Sequence, residues 1–172
     1  MRWLLFFVGF YALALGAFEG ISSYEARFVQ RVFSEDGSTL EYQGKIYAKA
    51  PHYGLWVYEK PLPKEVYIAG DEVVVYEPFL EQATFSKLQD SLEFLSLLKG
   101  AKAKGDGIYE AEILGQKYEI SSTKEGMPSE IVFFDKLGNR TEIVLSHSQK
   151  NIKLDDELFR FTPKEGIDLI RR

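Results

Sequence analysis

The stretch Tyr76-Glu77-Pro78-Phe79-Leu80-Glu81-Gln82-Ala83-Thr84 decides how this chain is read. The valine run that leads into it, Val73 to Tyr76, favours an extended strand, because β-branched and aromatic side chains suit a pleated surface. Pro78 has no amide hydrogen to give to a ladder, so the strand must stop there, and the pattern restarts from Leu80 as a second strand. Nothing in the stretch supplies catalytic machinery.

Outward from it, alternation with a period of two dominates. Leu40, Tyr42 and Ile46 point one way while Glu41, Gln43, Lys45 and Lys49 point the other, the signature of a half-buried antiparallel strand. Ile108 to Ile113 and Lys117 to Ile120 repeat it around the turn Leu114-Gly115-Gln116. Ile131 to Phe134 and Thr141 to Leu145 flank a second hairpin turn, Asp135 to Asn139. Further strands are expected at Phe28 to Phe33, Tyr53 to Tyr58, Val66 to Ala69, Val73 to Tyr76 and Leu80 to Ser86. About ten short strands separated by turn signals point to a sandwich or barrel. One segment differs: Leu92, Leu95 and Leu98, with Phe94 and Leu97 beside them, follow helical spacing, with Asp90 or Ser91 as N-cap and Gly100 as terminator. A helix this apolar must lie against the sheet. A shorter turn is expected near Leu154 to Leu158, ahead of a final strand.

The length, 172 residues, fits one domain with room for a large core or a core plus a cavity. Arg2, the apolar run Trp3 to Leu15 and the small residues Ala14, Gly16 and Ala17 form the pattern of a secretory signal peptide. Residues 1–17 are therefore expected to be removed, leaving a single domain over 18–172. The run is short for a membrane span. There are no cysteines, so disulfides are excluded even in an oxidising compartment, and so is a lipid-modified cysteine behind the signal. The mature chain is expected to be a soluble monomer. The formal charge of −5, which becomes −6 when Arg2 leaves, argues against nucleic acid or anionic lipid headgroups as partners.

Catalysis needs a nucleophile, a tuned acid or base, or a metal, held in one cleft. Only two histidines are present. His52 follows Pro51 in a loop and reads as a solvated side chain. His147 ends a strand between Ser146 and Ser148, with no nucleophile elbow. Asp155-Asp156-Glu157 lacks the spacing of a calcium loop and reads as a helix cap. No enzyme, metal site or cofactor is expected. What the chain has in excess is aromatic surface, with 13 Phe, 10 Tyr and 2 Trp. Strands such as Tyr53 to Tyr58 and Val73 to Tyr76 are apolar on both faces. Composition leaves two readings open, a filled sandwich core and a barrel or half-barrel whose inner side holds an apolar ligand.

The Tyr-x-Pro-Phe-x-Glu-Gln-Ala-Thr run resembles the periplasmic lipoprotein carriers of the LolA type. Upstream, Pro51, Trp56 and Pro61 keep that family's Pro-x4-Trp-x4-Pro spacing. Downstream, Phe159-Arg160-Phe161-Thr162-Pro163 and Gly166-Ile167-Asp168 resemble its C-terminal signature. The resemblance covers about Ser22 to the end. It implies a mainly β fold, a single curved antiparallel sheet forming an incomplete barrel of about 10–11 strands, with helices over its open side and acyl chains bound beneath them. On that reading, Phe28, Leu40, Tyr42, Ile46, Trp56 and Tyr58 line the cavity from the first strands. Val74, Tyr76, Ile131 and Phe133 line it from later strands, and Leu92, Leu95 and Leu98 cover it. The implied partners are acylated lipoproteins as cargo, an inner-membrane ABC-type transporter that loads them and an outer-membrane acceptor. Alternatives are a periplasmic binder of another lipid or glycolipid and a non-catalytic envelope protein that holds a partner segment. Three departures stand out: Ala50 where the family commonly has an arginine thought to tie the lid to the barrel, Ala69-Gly70 for its Asp-Gly turn, and Val74 for a common tryptophan. The short stretch before Tyr24 leaves little room for the family's longer first helix.

Overall fold

The fold, obtained as a computed structural model, is described for residues 18–87 and 93–172. The first six strands are β1 (Ser23–Phe33), β2 (Thr39–Lys49), β3 (Tyr53–Lys60), β4 (Lys64–Ala69), β5 (Glu72–Glu77) and β6 (Gln82–Lys87). A short helix, α1 (Phe94–Lys99), precedes β7 (Lys102–Gly105), β8 (Ile108–Ile113), β9 (Gln116–Ser122), β10 (Pro128–Phe134), β11 (Arg140–Lys150) and β12 (Asp168–Arg171). All twelve strands join one sheet, in the order β12-β6-β5-β4-β3-β2-β1-β11-β10-β9-β8-β7. Neighbours are antiparallel except β12, which runs parallel to β6. The sheet is curved and open, not closed into a barrel.

The ten strands expected from alternation are all present, with ends shifted by a few residues. Two more are added. β7 is exposed along its whole length and β12 has only four residues, so neither carries a burial pattern to read. Pro78 does end β5, but Pro78–Leu80 forms a 3₁₀ turn closed by Glu81 at φ 49, and β6 begins at Gln82 rather than Leu80. Leu114 at φ 51 and Gly115 at φ 79 make the tight β8–β9 turn, in which both residues are left-handed. Residues 18–20 form a turn and β1 starts at Ser23, so no helix lies between Phe18 and β1.

The two faces of the sheet are buried differently. On the face carrying α1, here the inner face, Phe18, Tyr24, Phe28, Ile46, Trp56, Ile120, Ile131 and Ile143 form one cluster with Phe94, Leu95, Leu97 and Leu98 of the helix. On the outer face, Val74, Tyr76 and Ala83 form a smaller cluster with Tyr67, Phe85, Phe161 and Ile167. The segment after β11 supplies this second cover. It crosses β3 and β4 as a 3₁₀ turn, Asp156–Phe159, with the Phe159 ring 5.7 Å from that of Tyr53, and then joins the sheet as β12.

Candidate functional site

α1 is built to lie on an apolar surface. Four of its six residues, Phe94, Leu95, Leu97 and Leu98, are buried, too many for a helix with one wet face. The N-cap is Glu93, one residue before the helix; the expected caps Asp90 and Ser91, like Leu92, lie outside the described residues. The Glu93 carboxylate accepts hydrogen bonds from Leu95 N at 3.2 Å and Ser96 N at 2.8 Å, satisfying two amides that have no partner within the helix. Gly100 closes the other end, as expected. Among the described residues, no backbone hydrogen bond joins α1 to the sheet. Side-chain packing holds the helix down.

Beneath α1 the inner face is a row of rings. Phe94 stacks on Tyr24 at 4.9 Å and meets Trp56 edge-on at 6.2 Å. Phe28 meets Trp56 and Tyr58 edge-on at 5.2 and 5.1 Å, and Tyr58 meets Tyr42 at 5.8 Å. Edge-to-face contacts of this kind are the favoured geometry for aromatic pairs. Gly44 makes the row possible. It sits at a bulge opposite Tyr58, and a Cβ there would lie 2.0 Å from the Val57 carbonyl oxygen and 3.0 Å from Cε1 of Phe28. The polar tips are satisfied: the Tyr58 hydroxyl donates to Gln30 Oε1 at 3.1 Å, and the Tyr24 hydroxyl lies 2.7 Å from Ser148 Oγ. Burial pushes both hydroxyls up to about 12, with neighbouring Tyr42 adding to the effect at Tyr58 and the Ser148 hydrogen bond opposing it at Tyr24.

The helix covers the half of this face nearest Tyr24. The other half is open. There Tyr42, Tyr58 and Phe133 are only partly buried, and a cavity of about 180 Å³ is lined by Gln30, Trp56, Tyr58, Val66, Ile68, Phe133 and Ile143. Lys64 Nζ stands 4.3 Å from the Tyr58 ring centre at its edge. Small-molecule pockets usually enclose about 300–1,000 Å³.

Of the residues expected to form the site, Phe28, Ile46, Trp56, Ile131, Leu95 and Leu98 come together in the inner cluster, and Tyr42, Tyr58 and Phe133 share its open margin. Leu40 does not join them; it lies at the start of β2, beyond the cover, and is 54% exposed. Val74 and Tyr76 are on the outer face. Trp56 pairs with Val66 and Val66 with Val75, so Val73 and Val75 point inward and their neighbours outward. Residue-level reading of the sequence passed over Tyr24, Tyr118 and Ile120, which belong to the inner cluster, and Phe94, which the helix places at its centre. His52 is exposed, as expected, with its Nδ1 3.9 Å from Glu93 Oε2, beside the helix cap and two residues from Ala50. Among the described residues no cluster of His, Cys, Asp or Glu could hold a metal ion, and no buried side-chain nitrogen or oxygen lacks a partner.

Comparison with known proteins gives three findings. The profile of the family described as "Outer membrane lipoprotein carrier protein LolA" matches residues 19–116. A Wolinella succinogenes protein named outer-membrane lipoprotein carrier protein is 50% identical over all of both chains, and a Helicobacter hepaticus protein of the same name is 36% identical over 98% of this chain and 94% of its own. Among solved structures, an uncharacterized conserved protein from Thermus thermophilus shares the fold with a TM-score of 0.53 at 16% identity, over 88% of this chain and 91% of that one.

Proposed function

The chain belongs to the LolA family of outer-membrane lipoprotein carrier proteins, and from that premise we propose that it carries acylated lipoproteins across the periplasm, holding their acyl chains against the inner face of the sheet. It is a binding and transport protein, not a catalyst. The observation that carries the reading is the pairing of a ring-lined inner face with a helix that, among the described residues, is joined to it by side-chain packing and by no backbone hydrogen bond. Each buried methylene is worth about 0.8 kcal/mol, so a lipoprotein with two or three long chains cannot leave a bilayer unaided. A soluble carrier must replace that apolar contact and later give it up. Contacts between α1 and the sheet are apolar and non-directional, so acyl chains can exchange for them with little change in the kind of contact made.

The cargo path follows the family: an inner-membrane ABC-type transporter loads the carrier and an outer-membrane acceptor unloads it. Residues 1–17 act as the export signal and leave before loading. Phe28, Tyr42, Ile46, Trp56, Tyr58, Ile131 and Phe133 form the acyl-chain surface, and Leu95 and Leu98 form its cover.

The test is mass spectrometry of what co-purifies with the protein from the periplasm, together with lipoprotein release from inner-membrane vesicles containing the transporter. Acylated lipoproteins in the first and release in the second are the expected results. Phospholipid alone, with no release, would replace this reading with that of a lipid binder.

A further inference from the structure

The two ends of the sheet differ in a way the acyl-chain surface does not account for. One end carries the turns β1–β2, β3–β4, β5–β6, β8–β9 and β10–β11; the strand registers bring them side by side, with Phe33 opposite both Thr39 and Arg140, Tyr58 opposite Lys64, and Glu77 opposite Gln82. Four of these turns hold large apolar side chains outward at or next to their tips: Leu62, Phe79 with Leu80, Leu114, and Phe134 with Leu137. Each is more than half exposed. The turns at the opposite end, at His52, Asp71, Asp106 and Lys124, hold no exposed large apolar side chain among the described residues.

We propose that the apolar-tipped end is where the carrier touches a lipid bilayer directly, its tips entering the interface of a membrane with little net charge. Three observations favour a lipid interface of little net charge. The apolar groups are spread over four separate turns along the curved edge, singly at Leu62 and Leu114 and in pairs at Phe79 with Leu80 and Phe134 with Leu137; a fluid interface accommodates such spacing, whereas a protein partner needs a matched contiguous surface. The turns carry Glu35, Asp36, Glu81 and Asp135 against Lys136, with Lys60 and Lys64 flanking the β3–β4 tip, so no basic field is aimed at anionic headgroups. The uncovered half of the inner face also opens at this end: Phe133 immediately precedes Phe134, and Tyr58 sits across the hairpin whose tip holds Leu62. An acyl chain passing between bilayer and inner face would then cross almost no water. This last step rests on the carrier reading; contact with the bilayer does not.

The test is flotation of the mature protein with protein-free vesicles of phosphatidylcholine and phosphatidylethanolamine. The wild type should float, and Leu62→Ser/Phe79→Ser/Leu80→Ser should lower vesicle partitioning by about tenfold or more, since three large side chains leave the interface. Leu114→Ser/Leu137→Ser, on the other flank, should give a smaller loss in the same direction and carries the test if the triple variant folds poorly. A wild type that stays at the bottom of the gradient, or variants that float as well as it does, would overturn the proposal. So would flotation seen only when the vesicles hold outer-membrane proteins, which would assign this end to a protein partner. Titration with a fluorescent fatty acid in vesicle-free buffer reads the carrier function separately, and the serine variants should bind it as the wild type does.

Discussion

The sheet has two covers, and they are attached by different means. The outer cover is stitched on. Residues 151–172 are tied by Ser23 Oγ donating to the Ile152 carbonyl at 2.6 Å, by Lys49 Nζ donating to the Leu154 carbonyl at 2.8 Å, and by the whole β12–β6 ladder, with Asp168 N donating to Glu81 O at 2.8 Å and Arg172 N to Phe85 O at 3.0 Å. The inner cover, α1, keeps its backbone hydrogen bonds to itself. Lifting the outer cover would break directional bonds and expose a sheet edge, while lifting α1 would exchange one apolar contact for another. On the proposed function, α1 is the cover that would move for a ligand, while the C-terminal strap is bound to the sheet by directional bonds.

Matched ring deletions give the largest test of that contrast. Phe94 and Phe159 are both buried, one in each cover, and either change to Ala should lower stability by about 3–5 kcal/mol in urea unfolding. Only Phe94→Ala should also shift fatty-acid affinity, by about tenfold (some 1.4 kcal/mol), with Phe159→Ala within about twofold of wild type. Equal effects on binding would break the distinction. Next in size is Gly44→Ala, whose methyl meets the Val57 carbonyl and the Phe28 ring. It should lower stability by about 1–3 kcal/mol and disturb the inner row without touching the strap, seen as an altered Trp56 emission spectrum.

A smaller effect is expected in alkali. Tyr24 and Tyr58 hold their protons up to about 12 in the folded protein, above the ordinary 10. The folded state then binds more protons than the unfolded one, so their contribution to stability is intact below about pH 10 and is lost as pH rises from about 10 to 12. Replacing both with Phe should flatten the slope of the urea midpoint against pH in that window. Smallest are the changes at the helix cap. Glu93→Gln weakens a charged cap and should cost about 1 kcal/mol, and His52→Ala, at an exposed partner, less than about 1 kcal/mol. Both should loosen α1 and leave the C-terminal strap as protected from amide exchange as before.

How much of this could be read in advance follows the same contrast. Where one face is wet, as in β2 and β8, alternation located the strand and its orientation. In Val73-Val74-Val75-Tyr76 it located the strand only. The strap buries the outer face too, and a run buried on both sides carries no parity, so Val74 and Tyr76 could not be assigned a side. β7 escaped notice because it is an exposed edge, and its Lys102 and Lys104 are what keep such an edge from pairing with another chain. A final strand after the Leu154 to Leu158 turn was expected, but nothing local signals that it pairs in parallel with β6. Trp56, Leu95 and Leu98 were legible as members of the inner cluster, the helix by its spacing and the tryptophan by its family place. Leu40 was not, because pattern alone cannot tell where along a strand the cover stops.

One feature of the strand order reaches back to how the chain acquires its shape. β1 is the first strand to be made, yet it lies mid-sheet, with β2 on one side and β11 on the other, so that Tyr24 must meet Lys150 and Phe33 must meet Arg140. Strands β1 to β6 can zip up in sequence as neighbouring hairpins, and so can β7 to β11, and the ladder that joins these two runs is the β1–β11 seam. Closing so long a loop is entropically slow, and until it closes β1 shows an unpaired edge. The rate of refolding should accordingly be set by that seam, and changes at Phe28 or Leu145, which face each other across it, should slow folding more than they speed unfolding.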